Sequence, residues 1–405
     1  MRRLLLGLAV VGVAVVAVLL LTSGGEDPKG ETELGARGFP LRGSLAKDEK
    51  AIDSAVAEWR EEAAEDEQEA EEDDDDDGES PETRERRARQ PDPDDDVTVL
   101  WIGTVDDEQL AILESQGGLL AGLTRRESSD GWFVDAERVR TEGDYPGDVP
   151  IGVGDAILTP ARNDWRFVDA GYGNGYEDVG DGLLWSNGGL DSDGFVVPTQ
   201  AVSDRVPIYV TGEGGRYIRP EAYEAFTSAL EGGYARAVFL ATQAAAALLE
   251  DDEQQQRTDD EPPALTVTWT GEVPGYKRAA VVLHGDALSG RRAAALGYGN
   301  RPDRGEDKDE RTVGLGTASA DQVFKSADTF AAYAYTTFDN FPYLLLASSG
   351  VVDTVHALVG TEELRRKPGL AVIDARRFDP KETPDTVVFG RTAEGRVIAP
   401  LAQRR

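Results

Sequence analysis

Four aspartates in a glycine-rich stretch are the residues of this chain whose types and spacing come nearest to a metal site: Asp178, Asp181, Asp191 and Asp193. Calcium takes six to eight oxygen ligands, and carboxylates on loops of this kind often supply them. The spacing of Asp191 and Asp193 before Gly194 resembles part of a calcium loop, although the third acid and the terminal glutamate of an EF-hand are missing. Aspartate and glycine are equally typical of tight turns, so a calcium site and simple turns both remain open.

Two tyrosines lie in a short motif that occurs twice. Gly171-Tyr172-Gly173-Asn174 is repeated as Gly297-Tyr298-Gly299-Asn300. The rings of Tyr172 and Tyr298 are candidate ligand-contact residues. The competing interpretation is that each motif closes a turn whose backbone only glycine can adopt.

Nucleophilic hydrolysis would have to use His284 or His356, the only two histidines of the chain. Ser289 follows His284, while Ser348, Ser349 and Asp353 precede His356. Neither region has the G-x-S-x-G turn that exposes a nucleophilic serine. A glycosidase-like pair of carboxylates is the alternative, but 77 acidic residues do not single out a pair. We therefore assign no catalytic residue, and an enzymatic role stays open but is not favoured.

Composition excludes several classes of partner. The formal net charge is −35, from 42 basic and 77 acidic residues. Binding to nucleic acid requires basic patches, so a nucleic-acid partner is not expected. The chain has no cysteine, which excludes disulfides and, with only two histidines, the common structural zinc sites.

The first 22 residues predict a membrane anchor. Leu4 to Leu21 is an uninterrupted apolar run that follows Arg2 and Arg3. At about 1.5 Å per residue in a helix, its length approaches that of a bilayer core. The arginines favour a cytoplasmic N-terminus with the bulk of the chain outside the cell membrane. The run is longer than the core of a cleaved signal peptide, yet cleavage and secretion remain an alternative.

The rest of the chain predicts a mainly β, α+β organisation. Residues 23–96 are expected to hold a short amphipathic helix that begins after Ser44, followed by a disordered acidic spacer over 64–96. A β-rich module with C-terminal helices is expected over 97–250, an acidic linker over 251–263, and a second β-rich module over 264–405.

Two hairpins indicate that these modules are related β-meanders. Thr98-Val99-x-Trp101-x-Gly103-x-Val105 matches Thr266-Val267-x-Trp269-x-Gly271-x-Val273, and an apolar strand follows each copy. Such self-similarity indicates an internal repeat. Chance likeness between two amphipathic hairpins is the alternative.

The function expected from these features is that of a membrane-anchored, extracytoplasmic accessory or interaction protein of the cell envelope. Its expected partners are an envelope protein or polysaccharide, together with the membrane through residues 4–21. The alternatives are a secreted-type hydrolase that uses carboxylates and a calcium-responsive extracellular module. No cofactor other than calcium is suggested.

Overall fold

A computed structural model describes residues 39–72, 81–91, 96–126, 131–139, 148–161, 164–171, 175–186, 193–201, 205–250, 264–285, 292–299, 310–318, 330–349, 353–359, 362–367, 369–377 and 386–398. Of these residues, strands account for 54% and helices for 22%, so the described part of the chain is mainly β, as its sequence predicts. The apolar run at residues 4–21 lies outside the described residues. Within them, no helix combines the length and the apolarity that crossing a bilayer requires.

The first sheet is a four-stranded antiparallel meander in sequence order: β1 (Thr98–Val105), β2 (Glu108–Glu114), β3 (Leu119–Arg126) and β4 (Phe133–Val139). Residues 39–45 run beside β1 and cover its free edge, because Arg42 N–H donates to the carbonyl of Leu100 and Ile102 N–H donates to that of Arg42. A further parallel bridge joins Arg42 to Trp101.

Helix α1 (Glu49–Glu72) packs on one face of this meander, and α2 (Pro81–Arg87) follows it. Ala55 and Trp59 of α1 are fully buried against the sheet. The helix begins later than expected, since Asp48 Oδ1 accepts from the N–H groups of its first turn while Ser44 Oγ accepts from Thr104 N–H on β1. Parts of the expected spacer are thus helical, namely 64–72 and 81–87.

The other face of the first meander packs on a small sheet with the order β5-β6-β9-β8. Its strands are β5 (Ile151–Val153), β6 (Ala156–Leu158), β8 (Glu177–Gly180) and β9 (Leu183–Trp185). β7 (Trp165–Asp169) leaves this layer and belongs to the next sheet. β8 is therefore an edge strand, and all four of its residues are exposed.

The central sheet has eight strands in the order β16-β15-β14-β13-β12-β11-β10-β7. Its further strands are β10 (Gly194–Pro198), β11 (Val206–Val210), β12 (Gly214–Ile218), β13 (Ala264–Val273), β14 (Tyr276–Gly285), β15 (Arg292–Gly299) and β16 (Arg311–Ala318). All neighbours are antiparallel except β12 and β13, which are joined in parallel by the pair Tyr217 and Ala264.

Two helices cross the central sheet between β12 and β13: α3 (Pro220–Ala229) and α4 (Ala235–Glu250), separated by a π-helical turn at Leu230–Tyr234. The sequence predicts the break at Gly232-Gly233, and Gly233 has a positive φ of 81°. α4 packs mainly on β14, β15 and β16. The sequence places α4 at the end of the first predicted module. In the structure this helix covers β14, β15 and β16, which belong to the second predicted module.

The two hairpins that share the sequence pattern have the same irregularity. β1 has a bulge between Val99 and Trp101, and β13 has one between Val267 and Trp269. Each tryptophan faces away from the packed helix, and each valine faces toward it. Both hairpins continue into a third and a fourth antiparallel strand.

Two sheets complete the C-terminal part. β17 (Phe330–Phe338), β18 (Phe341–Ser349) and β21 (Gly369–Asp374) cover the face of the second meander opposite to α4. A 3-10 turn, Ala375–Arg377, follows β21. The last sheet has the order β20-β19-β22-β23, with β19 (Thr354–Val359), β20 (Glu362–Arg366), β22 (Thr386–Arg391) and β23 (Val397–Ile398).

Candidate functional site

A cleft of about 330 Å³ opens beside the edge strand β8, and it gathers three carboxylates around one indole. Its walls come from the ends of β6, β7 and β9 as well as from β8. The lining residues that can contact a ligand are Thr159, Asp164, Trp165, Asp178 and Asp181. The sequence predicted Asp178 and Asp181 as site residues, and the fold brings both of them to this cleft.

The turn between β8 and β9 positions these two aspartates. Asp181 and Gly182 both have positive φ angles, 51° and 76°, which is the Asp-Gly pattern of a tight two-residue hairpin. Asp178 Oδ1 accepts from the N–H of Gly180 at 2.9 Å, so one of its oxygens stabilises the turn. Both aspartates line the cleft.

A half-buried arginine contacts two of the residues that line the cleft, Thr159 and Gly182. Arg42 Nη2 donates to the carbonyl of Thr159 at 2.6 Å, and a Cβ on Gly182 would lie only 2.2 Å from Arg42 Nη1. Burial lowers the pKa of Arg42, while the negative charge of Asp181 acts in the opposite direction. The segment that covers the edge of β1 therefore also fixes Thr159 and balances part of the acidity above it.

Trp165 forms the apolar part of the cleft. Its Nε1 donates to the carbonyl of Pro160 at 3.2 Å, so the orientation of the ring is fixed. One side packs with Ile157, Leu184 and Val196. Asp164, its neighbour in sequence, accepts from the N–H of Thr199 through its backbone carbonyl, which holds the two residues at the start of β7.

Sequence reasoning did not identify Thr159, Asp164 or Trp165 as site residues. Trp165 has the spacing of a strand residue, which favours a core position, and it is in fact half-buried. Nothing in the local pattern distinguishes Asp164 from the many other acids of the chain. The pairing of β7 with β10 rather than with its sequence neighbours decides the composition of this cleft.

Asp193 has a different role. Its carboxylate accepts from Arg236 Nη1 at the start of α4, and Arg236 also makes a two-pronged pair with Glu310 at 2.6–2.9 Å. Burial alone would lower the pKa of Arg236, but these hydrogen bonds outweigh it and the pKa is raised. Asp193 thus belongs to an ion-pair network and does not line the cleft.

Tyr298 lies in the core of the second meander. Its ring is 2% exposed and meets Tyr276 and Phe338 edge-on at centroid distances of 4.6 and 5.2 Å. Burial raises its pKa to about 12. The ring therefore has no face that a ligand can reach, whereas Asp191 and Tyr172 lie outside the described residues.

The glycine beside Tyr298 explains the local motif. A Cβ on Gly297 would lie 2.2 Å from the carbonyl oxygen of Ala237 and 2.6 Å from the nitrogen of Ala241. Both atoms belong to the backbone of α4. Glycine at this position lets the helix approach β15 directly, so close packing accounts for this residue of the motif.

Neither histidine is set up as an obvious general base. His284 Nε2 accepts from Arg216 Nε at 2.9 Å, and because arginine can only donate, that nitrogen has no lone pair left for a nucleophile. His356 bonds Thr354 Oγ1 at 3.1 Å and Glu363 Oε1 at 3.0 Å, which is the hydroxyl–imidazole–carboxylate order of a triad. Thr354 starts a regular strand rather than a sharp turn, and Arg365 shares the carboxylate of Glu363 at 3.1 Å.

Metal ligation has limited support in the described part of the chain. There, no group of three or more Asp, Glu, His or Cys side chains stands close enough to hold an ion. Asp178 and Asp181 do share one cleft, but Asp193 is engaged elsewhere.

No family model matches this sequence, and neither curated proteins nor solved structures gave a significant match. The function of the chain is therefore inferred from the residues that line the cleft.

Proposed function

We propose that this chain is a membrane-anchored, extracytoplasmic accessory protein of the cell envelope that binds a neutral polysaccharide in the cleft beside β8. The location rests on the apolar run at residues 4–21 and the arginines before it. The observation that carries the binding role is the lining of the cleft, where Trp165 lies among Asp164, Asp178 and Asp181.

The chemistry of the lining argues for a polyhydroxylated ligand. Ionised carboxylates only accept hydrogen bonds, whereas each sugar hydroxyl has a proton to donate. Hydrogen bonds to charged acceptors are stronger than those between neutral groups. The amphipathic indole offers apolar contact for the C–H face of a sugar ring. A cleft lined by acids repels anionic polymers, so a neutral glycan fits best.

We also propose that the two meanders are copies of one module. Equivalent bulges at Trp101 and Trp269, the same inward and outward faces, and a helix on the same side of each sheet support this. In this proposal each unit consists of a helix, the meander that follows it, and a smaller sheet on the opposite face.

Glycan titration of the full-length chain in nanodiscs tests the binding role. We expect saturable binding of neutral envelope glycans, followed by tryptophan fluorescence, and weak binding of uronate-rich ones. Asp164→Asn and Asp178→Asn together should weaken binding about tenfold or more, because two charged acceptors become neutral amides. Asp178→Asn keeps an oxygen that can accept from Gly180 N–H, so the turn is preserved.

Asp169→Asn is the matched control. Asp169 Oδ1 accepts from the N–H of Gly171 at 2.7 Å, the same local contact that Asp178 makes, but it lies outside the cleft. Its substitution should change affinity less than twofold. Absence of saturable binding to any neutral glycan, or an equal loss in Asp169→Asn, would contradict the proposal.

Glycoside hydrolysis is the second candidate, because three carboxylates face one cleft. Hydrolysis needs two carboxyl groups at roughly 5 Å for retention or roughly 6.5–9.5 Å for inversion. Release of reducing ends during the same titrations, lost in Asp164→Asn, would support catalysis. If glycans bind but no reducing ends are released over long incubation, the result would contradict hydrolysis and support the accessory role.

A further inference from the structure

The solvent-facing side of the last sheet differs in character from the rest of this acidic chain. We call it the outer face and define it by Leu358, Glu363, Arg365, Val387, Arg391 and Val397. Residues of the opposite side, among them Val355, Ala357 and Leu364, pack into the core against β18 and β21. Because side chains alternate along a strand, the defining residues share the solvent side.

Aliphatic side chains are exposed on this face. Leu358 is 37% exposed, Val387 54% and Val397 56%. Leu358 and Val387 lie directly opposite one another on β19 and β22, so they form one continuous apolar strip. The solvent side of an antiparallel sheet is normally polar, which makes this strip a feature that needs an explanation.

The charge of this region is reversed relative to the whole chain. Residues 353–405 hold ten Lys and Arg against eight Asp and Glu, whereas the complete chain has a net charge of −35. Arg365 lies opposite His356, and Arg391 lies opposite Thr354 on one side and Val397 on the other. Glu363, the acid of this face, accepts from His356 Nδ1 and Arg365 Nε at 3.0 and 3.1 Å, so Glu363 and Arg365 form an ion pair within the face.

Hydrogen bonds and ring contacts hold several side chains of this face in place. The imidazole of His356 is held between Thr354 and Glu363, and it stacks on Phe389 with an interplanar angle of 4°. The guanidinium of Arg391 lies 5.4 Å from the centroid of the same phenyl ring. Side chains that are already held in place lose less entropy of their own when a partner binds.

We infer that the outer face is a docking surface for an acidic, extended polypeptide that carries aliphatic side chains at alternate positions. The aliphatic side chains provide apolar contact, and Arg391, which lies opposite the exposed Val397, provides charge complementarity to acids on the partner. An extended chain matches the two-residue period of the face. This surface is independent of the cleft beside β8, and the inference does not rest on the proposed function.

A polypeptide fits these observations better than a lipid surface. The aliphatic residues lie within a sheet face rather than on a protruding loop. An extended segment that lies along β22 would meet Val387, Phe389 and Arg391 at successive outward positions.

Fluorescence anisotropy with the full-length chain in phosphatidylcholine nanodiscs provides the test. The probe is a short labelled peptide of alternating glutamate and leucine, compared with lysine–leucine and glutamate–serine peptides. We expect binding of the first, no binding of the second and weaker binding of the third. Affinity should fall as salt rises, because the attraction between exposed charges is screened.

Val387→Ser combined with Arg391→Gln should weaken binding of the glutamate–leucine peptide about tenfold or more. Phe133→Ser combined with Arg126→Gln is the matched control, because it makes the same kinds of change at exposed positions of the first meander. That control should leave affinity within about twofold. Thermal melts of both variants show whether the fold is kept.

The inference is overturned by three results: no binding of the glutamate–leucine peptide, equal loss in the two double variants, or equal binding of the lysine–leucine peptide. Binding of anionic vesicles that the Val387 and Arg391 changes abolish, without peptide binding, would assign the surface to lipid instead. A labelled peptide with the sequence of residues 65–77 shows whether this chain's own acidic run competes for the same surface.

Discussion

The indole of Trp101 lies over Gly103, two residues further along β1. A Cβ on Gly103 would stand 2.6 Å from Trp101 Cη2, a distance that real structures do not tolerate. The second meander has the same arrangement, with a Cβ on Gly271 standing 2.4 Å from Trp269 Cζ2. Each glycine therefore makes room for a tryptophan of its own strand, next to the bulge that turns that tryptophan toward the core.

Alanine at either glycine should displace the tryptophan. We expect Gly103→Ala and Gly271→Ala each to lower the free energy of unfolding by about 1–3 kcal/mol, since the ring has to leave its packed position. Chemical denaturation measures the loss, and tryptophan emission reports the ring. Gly122→Ala is the control, because its Cβ would meet Val153 only at 3.7 Å. Similar stability of all three variants would contradict the arrangement.

Helix α4 depends on the absence of a side chain at Gly297. Since a Cβ there would strike the backbone of the helix at Ala237 and Ala241, Gly297→Ala should lower the free energy of unfolding by about 3 kcal/mol. Gly299→Ala, two residues further along β15, meets only the flexible side chain of Glu310 at 3.3 Å and should cost much less. Equal effects would show that helix and strand are not in direct contact.

Asp155 makes stability depend on pH. Burial, followed by the charge of Asp135, raises the pKa of this carboxyl in the folded chain. The folded state therefore binds the proton more tightly than the unfolded state, and stability falls as pH rises from the unfolded value of about 3.8 through the raised folded value. At pH 7 the carboxyl of Asp155 is ionised, and its partial burial then lowers the free energy of unfolding by a constant amount.

Asp155→Asn should consequently stabilise the chain at neutral pH, by no more than about 0.5 kcal/mol given solvent screening. The advantage should shrink as pH falls through the folded pKa. Thermal melts from acid to neutral pH follow this effect. Asp135→Asn should act in the same direction but less strongly. A destabilised Asp155→Asn at pH 7 would refute the assignment.

Arg236 joins three elements through its two acids. Arg236→Gln leaves Asp193 and Glu310 facing each other without a cation, so we expect a loss of about 1–3 kcal/mol that high salt partly restores. Glu310→Gln should cost less because Asp193 keeps its partner. A double-mutant cycle between positions 236 and 310 measures their coupling. A coupling energy near zero would show that this contact is not formed.

The sequence predicts the first meander and the matching hairpins well, because alternating apolar residues and turn signals act locally. The start of α1 was predicted wrongly at Ser44, since its hydroxyl bonds β1 and Asp48 caps the helix instead. The spacer prediction over 64–96 was too broad. Arg89 Nη1 donates to the carbonyl of Gly117, and Ser115 Oγ donates to that of Arg89, contacts that charge composition does not reveal.

The candidate site was predictable only in part. Asp178 and Asp181 are recognisable because they lie in a glycine-rich stretch, but Asp164 and Trp165 reach the same cleft through long-range strand pairing. Asp193 resembles them in sequence, but its carboxylate binds Arg236 on α4 and does not line the cleft. Long-range contacts of this kind have no local signal.

The parallel pair of Tyr217 and Ala264 bears on the order in which the chain assembles. The hairpins on either side of it close over short loops, whereas this junction forms only after both α3 and α4 have crossed the sheet. Non-local pairing of this type is slow because the entropy of closing the loop is lost before any contact is gained. The central sheet should therefore form from two early halves, and their union is the expected rate-limiting event of folding.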